Sequence, residues 1–376
     1  MVYLDYNATT PCDPKVVAAM LPYFNEKFGN ASSRTHPYGW VADEGVTQAR
    51  EQVAQLINAE RQEIIFTSGA TEGCNIALKG AFEMYAGKGR HIITCATEHK
   101  AVLDTCKSLE NKGAEVTYLQ VDKDGLIDID ELKNAIRPDT VLIAIMYANN
   151  ETGVIQPIKK IGELAKEHDV IFFSDATQAV GKIVVDVQQD NIDLLVFNGH
   201  KMYGPKGVGA MYIRRKNPRV KLTLQMHGGG HENGLRSGTL NVPGIVGLGM
   251  ASFICSTLLV AESKRLEILR DRFEEGLAEY CSGFNGKNTQ RLPHVSNLSF
   301  KGIAAERLIS GLNSEIAFSV GSACNSANRE PSHVLKAMGL DEAKLAGAAR
   351  FSLGRFTTDE EIEFVVDRVE KELMRK

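Results

Sequence analysis

The sequence predicts an α/β protein in which a large domain with a mainly parallel mixed sheet is joined to a smaller α+β domain. From about residue 64, short apolar runs alternate with amphipathic segments, which is the pattern of strands connected by helices. The length of 376 residues exceeds what a single small core needs. The segment Leu259–Cys281, rich in Glu, Lys, Arg and Leu at helical spacing, leads out of this alternation as a linker helix.

The predicted elements of the large domain follow one another as strand and helix pairs. In order, they are the strand Ile64–Phe66 and the helix Thr71–Tyr85, the strand Ile92–Thr94 and the helix Ala101–Asn111, the strand Val141–Tyr147 and the helix Pro157–His168, and the strand Val170–Phe173. Two further strands, Leu194–Phe197 and Val208–Ile213, are joined by a turn that contains Gly204, Pro205 and Gly207. That turn is too short for a helical crossover, so we expect these two strands to pair antiparallel.

The C-terminal part contains two further segments whose apolar residues predict helices. Ile245–Ala261 contains Gly, Ser and Thr and, at about 17 residues, is shorter than the roughly 20 residues that span a membrane, so we expect a buried core helix. The last helix begins near Thr358, because Thr and Asp cap helix N-termini. Its apolar face, which we expect to cover the sheet of the smaller domain, consists of Ile362, Val365, Val366, Val369 and Leu373.

Composition and charge exclude several classes of function. The 43 basic and 47 acidic residues give a net charge of -4, so the chain lacks the positive field with which proteins bind nucleic acid or anionic membranes. The N-terminus has neither the basic nor the apolar region of a signal peptide, and we expect a cytoplasmic protein in which the Asn7–Thr9 glycosylation pattern is unused. The seven cysteines include no Cys-x-x-Cys pair, which argues against a disulfide framework or a zinc ribbon and predicts at least one free thiol. No metal site is predicted.

Lys201 is the first candidate for chemistry, because it directly follows an apolar strand and precedes the glycine-rich turn Gly204–Gly207. A lysine at the rim of a sheet, crowded by His200 and tight backbone, can lose its proton and attack an aldehyde. Lys206 is the competing lysine, and either one alone also fits an ordinary solvated loop.

Asp175 and Gln178 add to this interpretation, since both follow the apolar strand Val170–Phe173. A carboxylate at that position can keep a pyridinium nitrogen protonated, and Gln178 can donate a hydrogen bond to a phenolic oxygen of the same ring. The alternative for a lone aspartate at a strand end is a helix cap, so its pairing with Lys201 carries the inference.

Thr67–Glu72 follows a strand and opens a helix, which predicts an anion cradle made of the Gly69–Glu72 amides, the Thr71 hydroxyl and the helix dipole. The segment has no Gly-Lys-Ser/Thr and is not a Walker loop. A plain helix cap is the alternative.

His99 follows the next strand, where an imidazole can stack on a cofactor and transfer protons, or cap the following helix.

Cys324 and Arg350 are the candidates in the smaller domain. Cys324 lies in the small-residue loop Gly321–Ala327, where an accessible thiolate is a nucleophile rather than a core filler. Arg350 can bind a carboxylate with both of its terminal nitrogens, but the sequence alone does not separate it from Arg355 or from ordinary ion pairing.

Taken together, these segments resemble the class I cysteine desulfurases, the NifS and IscS-like branch of the pyridoxal-phosphate fold type I enzymes (aminotransferase class V). The resemblance extends from Tyr3–Pro11 to Ser352–Thr357. Its most specific motifs are Thr67–Glu72, Asn149–Glu151, Asp175–Gln178, Gly199–Gly207, Arg236–Thr239, and Gly321–Cys324 with Glu330–Leu335. It implies a large cofactor-binding domain over residues 14–258 and a smaller domain over residues 1–13 and 259–376 that carries the cysteine loop.

The resemblance also implies a role for each matching residue. Lys201 forms the Schiff base with pyridoxal 5'-phosphate, Cys324 carries the persulfide, and His99 stacks on the ring as the acid-base group. The implied cofactor-binding residues are Ala70, Thr71, Asn150, Asp175, Gln178, Asn198, Gly199, His200 and Thr239. Thr239 is expected to reach the phosphate of the neighbouring subunit, which implies a homodimer. Arg350 and Asn150 are expected to bind the substrate carboxylate.

Two features depart from the family pattern. Asn198 stands where the family usually has a serine that contacts the cofactor phosphate, which puts the strength of that contact in question. The chain ends at Lys376, without the longer C-terminal tail that IscS-type members use toward their iron-sulfur scaffold. The sulfur acceptor, which is a protein of iron-sulfur assembly, tRNA thiolation or DNA phosphorothioation, is therefore left open.

The resulting expectation is an enzyme that converts L-cysteine to L-alanine and passes the sulfur through a Cys324 persulfide to an acceptor protein. Selenocysteine lyases and aminotransferases of the same fold are the alternatives within the family. A non-catalytic sulfur-handling or nucleotide-binding module is the alternative from another class. The segment Gly204–Gly209 argues against a nucleotide-binding module. Its glycine spacing is wrong for a dinucleotide fingerprint, and it leads into a strand and not into a helix.

Overall fold

The computed structural model describes residues 1–320 and 331–375. The strands are β1 (Val2–Tyr3), β2 (Ile64–Thr67), β3 (His91–Cys95), β4 (Glu115–Leu119), β5 (Thr140–Ala144), β6 (Ile171–Asp175), β7 (Leu194–Asn198), β8 (Gly209–Ile213), β9 (Cys281–Phe284), β10 (Val295–Phe300), β11 (Ile316–Ala317) and β12 (Ala348–Ser352). The helices are α1 (Pro14–Met20), α2 (Pro22–Asn25), α3 (Pro37–Leu56), α4 (Ala70–Met84), α5 (Lys100–Glu110), α6 (Ile129–Ala135), α7 (Ile158–Glu167), α8 (Val242–Leu277), α9 (Ala305–Leu312), α10 (His333–Ala337), α11 (Glu342–Ala346) and α12 (Asp359–Met374).

A seven-stranded mixed sheet in the order β2-β8-β7-β6-β5-β3-β4 forms the centre of the large domain. Strand β8 runs antiparallel to both of its neighbours, and the other pairs are parallel. The α/β class and the antiparallel pairing of β7 with β8 are therefore as predicted. Since β2, β3, β5, β6 and β7 all run in one direction, their carboxyl ends meet along one edge of the sheet. The loops after these strands carry most of the predicted site residues.

Both faces of this sheet are buried, which explains why its strands read as nearly continuous apolar runs. Along β2, Ile64 and Phe66 belong to the core beneath α1, α3, α7 and α8, while Ile65 belongs to the core beneath α4 and α5. The same alternation holds in β7, where Leu195 and Val196 belong to opposite cores. Side chains of a strand point to opposite faces in turn, so two helical layers cover one sheet.

A third core joins both ends of the chain. Leu4 near the N-terminus packs with Leu298 of β10, Phe351 of β12 and Val365 of α12 in this core. Strands β12, β10 and β9 form its antiparallel sheet, and β1 pairs in parallel with β11 beside it. The final helix starts with a capping box at Thr358, and Ile362, Val365, Val366, Val369 and Leu373 face this core as predicted.

Helix α8 connects the cores as one continuous helix of 36 residues, whereas two separate helical segments were predicted. Leu248 belongs to the large core, where α8 packs against α1 and α3, and Leu266 belongs to the third core, so the helix passes from one to the other. Among the described residues, Val242–Tyr280 is the one span that is long and apolar enough to cross a membrane, by length and composition only. The core helix of a soluble protein passes the same test, and the residues of Ile245–Ala261 that enter the large core agree with the predicted core helix.

Candidate active site

A cavity of about 260 Å³ lies at the edge of the sheet where the parallel strands end. The predicted residues that line it are Ala70, Thr71, His99, Asn150, Asp175, Gln178, Asn198, His200, Lys201 and Arg350. Gly199 lies in the adjoining turn, Thr239 is exposed and does not line the cavity of its own chain, and Cys324 lies outside the described residues. The chain thus brings together groups from five strand ends and from the smaller domain.

Lys201 ends a tight 3₁₀ turn, Gly199–Lys201, directly after β7. Its Nζ donates hydrogen bonds to the carbonyl oxygens of Asn7 at 2.6 Å and Ala8 at 2.7 Å. A side chain at position 199 would come within 2.9 Å of the carbonyl oxygen of Pro205, so glycine is required for the close approach of the two segments. The competing Lys206 is exposed and does not line the cavity.

His200 is half-buried beside Lys201, and its Nδ1 lies 3.1 Å from the Thr9 hydroxyl. Burial, together with the positive charges of Lys201, Lys206 and Lys182, lowers the pKa of this imidazole to about 4. His200 is therefore uncharged at neutral pH and adds no further cation to the cavity.

The helix start at α4 forms the cradle predicted for an anion, but two of its expected amides are already used. The amide of Ala70 donates to Asn198 Oδ1 at 2.8 Å, and the amide of Gly69 donates to Thr67 Oγ1 at 3.3 Å. The prediction that all four amides from Gly69 to Glu72 are free to bind an anion is therefore wrong for Gly69 and Ala70. Because its oxygen caps Ala70, the Asn198 amide keeps its NH₂ group as a donor at the cavity.

Glu72 joins this helix start to the segment that carries Thr239. Its Oε1 accepts from Arg236 Nε at 2.8 Å, and its Oε2 accepts from the amide and the hydroxyl of Ser68. Burial opposes the charged form of Glu72, but these hydrogen bonds more than offset it and lower the pKa of the carboxyl group. The ion pair fixes Arg236 against α4, three residues before Thr239.

Asp175 is the last residue of β6 and Gln178 lies in the loop that follows it, and both line the cavity. Asp175 Oδ1 accepts from the amide of Thr177 at 3.0 Å, so the aspartate caps a turn and faces the cavity at the same time. Gln178 Nε2 donates to the carbonyl oxygen of Asn7 at 3.1 Å. His99 Nδ1 accepts from the amide of Ala101 at 3.1 Å, so it caps α5 and also lines the cavity.

Arg350 is 2% exposed and is held on three sides. Its Nη2 donates to Asp5 Oδ1 at 2.7 Å and to the Ser319 hydroxyl at 3.1 Å, and its Nη1 donates to the carbonyl oxygen of Asn150 at 3.0 Å. Arg355 instead pairs with Glu262 and Asp13 and does not line the cavity. The structure therefore separates the two arginines that the sequence left as alternatives.

Several buried polar atoms around the cavity have no hydrogen-bond partner among the described residues. They are Glu151 Oε1, Thr177 Oγ1, Gln178 Oε1, His333 Nδ1 and Arg350 Nε. Buried polar groups are normally satisfied, so this concentration indicates that the cavity receives a polar ligand. A lysine, a strand-end carboxylate and a helix N-terminus on one cavity fit the aldehyde, ring nitrogen and phosphate of pyridoxal phosphate.

The segment that contains Cys324 lies outside the described residues, but both of its flanks are anchored at the cavity. Before it, the Ser319 amide donates to the carbonyl oxygen of Arg350 at 3.1 Å. After it, the Ser332 hydroxyl donates to Glu151 Oε2 at 2.5 Å, and His333 Nε2 lies 3.0 Å from the carbonyl oxygen of Glu98.

The six cysteines of the described residues lie away from the cavity. None of them lines it, and burial raises the pKa of every one, namely Cys12, Cys74, Cys95, Cys106, Cys255 and Cys281. A thiol with a raised pKa supplies little thiolate at neutral pH and is a poor nucleophile.

Sequence reasoning missed Asn7, which is 1% exposed and bonds to three segments of the site. Its carbonyl oxygen accepts from Lys201 and Gln178, and its Nδ2 donates to the carbonyl oxygen of Asn150 at 3.0 Å. Asn7 was considered only as part of an unused glycosylation pattern. An asparagine between Tyr6 and Ala8 gives no local sign of a distant partner, and only its place within Tyr3–Pro11 pointed to the site.

The chain is similar in sequence and in structure to known proteins. The family model described as Aminotransferase class-V matches residues 2–365. A cysteine desulfurase IscS of Methylococcus capsulatus is 52% identical over 375 residues, covering 100% of this chain and 93% of that relative. A solved NifS-like protein matches with a TM-score of 0.92 at 38% identity, covering 98% of each chain. A structure titled SspA in complex with cysteine matches with a TM-score of 0.84 at 40% identity, covering 95% of this chain and 100% of that one.

Proposed function

The chain belongs to the aminotransferase class-V family and is a cysteine desulfurase, and from this premise we propose that it moves the sulfur of L-cysteine onto Cys324 and releases L-alanine. The observation that carries the proposal is that Lys201, Asp175 and Arg350 line one cavity. Several buried polar atoms around that cavity have no hydrogen-bond partner among the described residues. The relatives named IscS favour iron-sulfur cluster assembly as the destination of the sulfur.

The residues proposed to hold pyridoxal 5'-phosphate are those around the cavity. Lys201 would link to the aldehyde, Asp175 would pair with the ring nitrogen, and Gln178 would bond to the phenolic oxygen. The phosphate would lie at the α4 N-terminus against the residues Ala70, Thr71, Asn198, Gly199 and His200. When bound, this cofactor supplies an electron sink for the pair left on Cα after a proton is removed.

Lys201 is proposed to move the proton at Cα. Its Nζ donates hydrogen bonds to the carbonyl oxygens of Asn7 and Ala8. Because these oxygens only accept, they favour the ammonium form of the lysine. These two acceptors can hold the lysine amine once it has taken up a proton. His200, uncharged beside it, does not compete for that position as a cation. His99 is proposed to stack on the ring and act as a second acid-base group.

Arg350 and Asn150 are proposed to bind the carboxylate of cysteine. The Nε of Arg350 has no partner within the described part of the chain, while its terminal nitrogens are oriented by Asp5 and Ser319. A bound carboxylate would give this buried cation a second anionic partner, which offsets the cost of burying it.

Cys324 is proposed as the nucleophile for the sulfur. Its thiolate would attack the substrate sulfur, the bond between that sulfur and Cβ would break, and the electron pair would remain on carbon and be protonated there. The new S–S bond makes Cys324 a persulfide, and an acceptor thiol then takes its outer sulfur, which breaks that bond and returns Cys324 to the thiolate. We place this reaction in a cytoplasmic homodimer in which Thr239 of each subunit contacts the phosphate in the other.

The test is the variant Cys324→Ala beside Cys12→Ala, which removes a thiol outside the cavity. Purified Cys324→Ala should keep the cofactor absorbance but form no protein-bound sulfur, and its alanine production should fall to background. Cys12→Ala should match the wild type in both. Alanine production by Cys324→Ala at the normal rate with an added sulfur acceptor would refute the role of Cys324. Transamination of an added keto acid at a comparable rate would instead indicate an aminotransferase, and undiminished turnover of selenocysteine by Cys324→Ala would indicate a selenocysteine lyase.

A further inference from the structure

A second buried lysine, Lys182, lies close to the cavity without lining it. It follows the Asp175–Gln178 loop, is 6% exposed, and its carbonyl oxygen accepts from the Ser263 hydroxyl of α8 at 2.5 Å. Its Nζ is 2.9 Å from Nε2 of His294, which is fully buried. Neither residue has a part in the reaction proposed above, and a buried amine against a buried imidazole requires an explanation.

The hydrogen-bond partners of His294 assign the protons in this contact. Its Nε2 lies 2.8 Å from Asn7 Oδ1, and the Asn7 side chain is oriented by donation from Nδ2 to the carbonyl oxygen of Asn150. The Asn7 oxygen can only accept, so Nε2 of His294 carries the proton. That single N–H donates to the Asn7 oxygen, so Nε2 has no lone pair left to accept from Lys182, and the contact favours an uncharged amine over an ammonium.

The electrostatic surroundings of Lys182 also favour its uncharged form. The charged and titratable groups that act on it are the cations Lys201 and Arg350, the acidic groups Glu262 and Cys255, and the imidazole of His294. Burial, followed by the positive charge of Lys201, lowers the pKa of Lys182 to about 7. Lys182 thus changes its charge close to neutral pH, and in doing so it acts on Lys201.

Asn7 is the residue that connects the two lysines. Its side-chain oxygen meets His294, and its backbone oxygen accepts from Lys201 Nζ at 2.6 Å. The path Lys182–His294–Asn7–Lys201 consists of contacts of 2.9, 2.8 and 2.6 Å, and its two inner members are at most 1% exposed. Short contacts of this kind in a buried setting are screened little by solvent.

We propose that Lys182 is a positioning residue that acts through His294 and Asn7 to set how strongly the Lys201 nitrogen holds its proton. While Lys182 is uncharged, the carbonyl oxygen of Asn7 accepts a hydrogen bond from Lys201 Nζ, and Nζ keeps its proton. When Lys182 gains a charge, it repels both the Nε2–H group of His294 and a proton on Lys201. This inference rests on the proposed function, because it assigns to Lys201 the proton transfer described there.

The test is a pH titration of the cofactor-loaded enzyme without cysteine, followed by the absorbance of the lysine-linked cofactor. In Lys182→Met the midpoint should move up by about one pH unit, a tenfold gain in proton affinity, because the competing cation is gone. In His294→Asn the midpoint should move down, because the amide oxygen accepts from Lys182 and stabilises its charge. The control Lys301→Met removes an exposed lysine that donates to the Glu279 carbonyl, and it should leave the midpoint unchanged.

Met is close to Lys in length and removes the cost of burying an amine, so Lys182→Met should fold, and Lys182→Gln serves in its place if it does not. Altered thermal stability of the Lys182 and His294 variants with unmoved midpoints would overturn the inference, since a merely structural role has that signature. A wild-type enzyme that shows no lysine-linked absorbance would instead overturn the proposed function.

Discussion

At the scale of single residues, the site depends on how buried charges are held. Arg350 and Arg355 lie five positions apart and both form ion pairs, yet only Arg350 lines the cavity. Arg355 is committed to Asp13 and Glu262, and its guanidinium lies 4.1 Å from the centre of the Tyr203 ring. The difference between the two residues lies in their partners, which a local sequence pattern does not contain.

We predict that Arg350→Lys raises the KM for cysteine about 10- to 100-fold with a smaller effect on kcat, because a charged hydrogen bond to the substrate carboxylate is lost. Arg355→Lys is the matched control, and we expect it to lower the melting temperature while leaving KM near the wild-type value. Steady-state measurement of alanine formation, with melting followed by circular dichroism, distinguishes the two. Equal KM values for both variants would contradict the assignment of Arg350.

The residues that were predicted without the family resemblance are those whose own neighbourhood in the sequence carries a signal. Lys201, Asp175 and Thr71 each follow an apolar strand, and parallel strands bring their carboxyl ends to one edge of a sheet. Asn7 and His294 have no such signal, because their partners are remote in the sequence and belong to other elements. Their place in the site follows from tertiary packing alone.

At the scale of elements, the contact between the end of β7 and the start of α4 says most about how the site is built. Asn198 ends β7, and its side-chain oxygen caps α4 by accepting from the amide of Ala70. Gly69, which precedes the helix, could not carry a side chain, since its Cβ would come within 2.6 Å of that same oxygen. The asparagine that departs from the family pattern thus fixes the strand to the helix start and presents an NH₂ group at the proposed phosphate position.

We predict that Asn198→Asp raises the dissociation constant of pyridoxal phosphate at least about tenfold, because it replaces a donor by a carboxylate next to an anion while the acceptor for Ala70 is retained. Asn198→Ser should bind the cofactor within a few fold of the wild type but lose about 1 kcal/mol of stability with the cap. Absorbance titration of the stripped enzyme and denaturant unfolding measure the two effects. Unchanged cofactor affinity in Asn198→Asp would contradict the role given to this side chain.

Elements with a clear hydrophobic period were predicted well, and those whose limits depend on packing were not. The helices α4, α5 and α7 and the strand β8 begin and end within two residues of the prediction. The two segments that form α8 were predicted separately, because apolar composition changes to charged composition near residue 259. The helix continues because its first half packs in the large core and its second half in the third core, which is information that a local window does not hold.

At the scale of the whole molecule, the cavity lies where the large core meets the core that joins the chain ends. Asn7 and Arg350 reach it from segments next to the third core, and Lys201 and Asp175 reach it from the central sheet. The predicted domain boundary at residue 258 falls inside α8 and stays a prediction. Thr239, which is predicted to contact the cofactor phosphate, is exposed and does not line the cavity of its own chain.

We predict that Thr239 completes the site of a partner subunit. Lys201→Ala and Thr239→Asp should each abolish most activity as homodimers, the first by losing the cofactor link and the second by placing a carboxylate at the phosphate. If Thr239 acts across the interface, a heterodimer of the two variants has one site with both residues intact. Coexpression with two different tags and purification over both should therefore give an enzyme with about half of the wild-type activity and cofactor content, since one of its two sites is whole.

The same heterodimer distinguishes a Thr239 that acts in the partner's site from one that acts in the site of its own chain. If Thr239 served its own chain, one site would lack Lys201, the other would contain the Thr239→Asp substitution, and neither would work. A monomeric wild type by light scattering would refute the proposed arrangement outright. The ion pair of Arg236 with Glu72 holds the Thr239 segment against α4, so each subunit would present Thr239 from the same helix start that cradles its own phosphate.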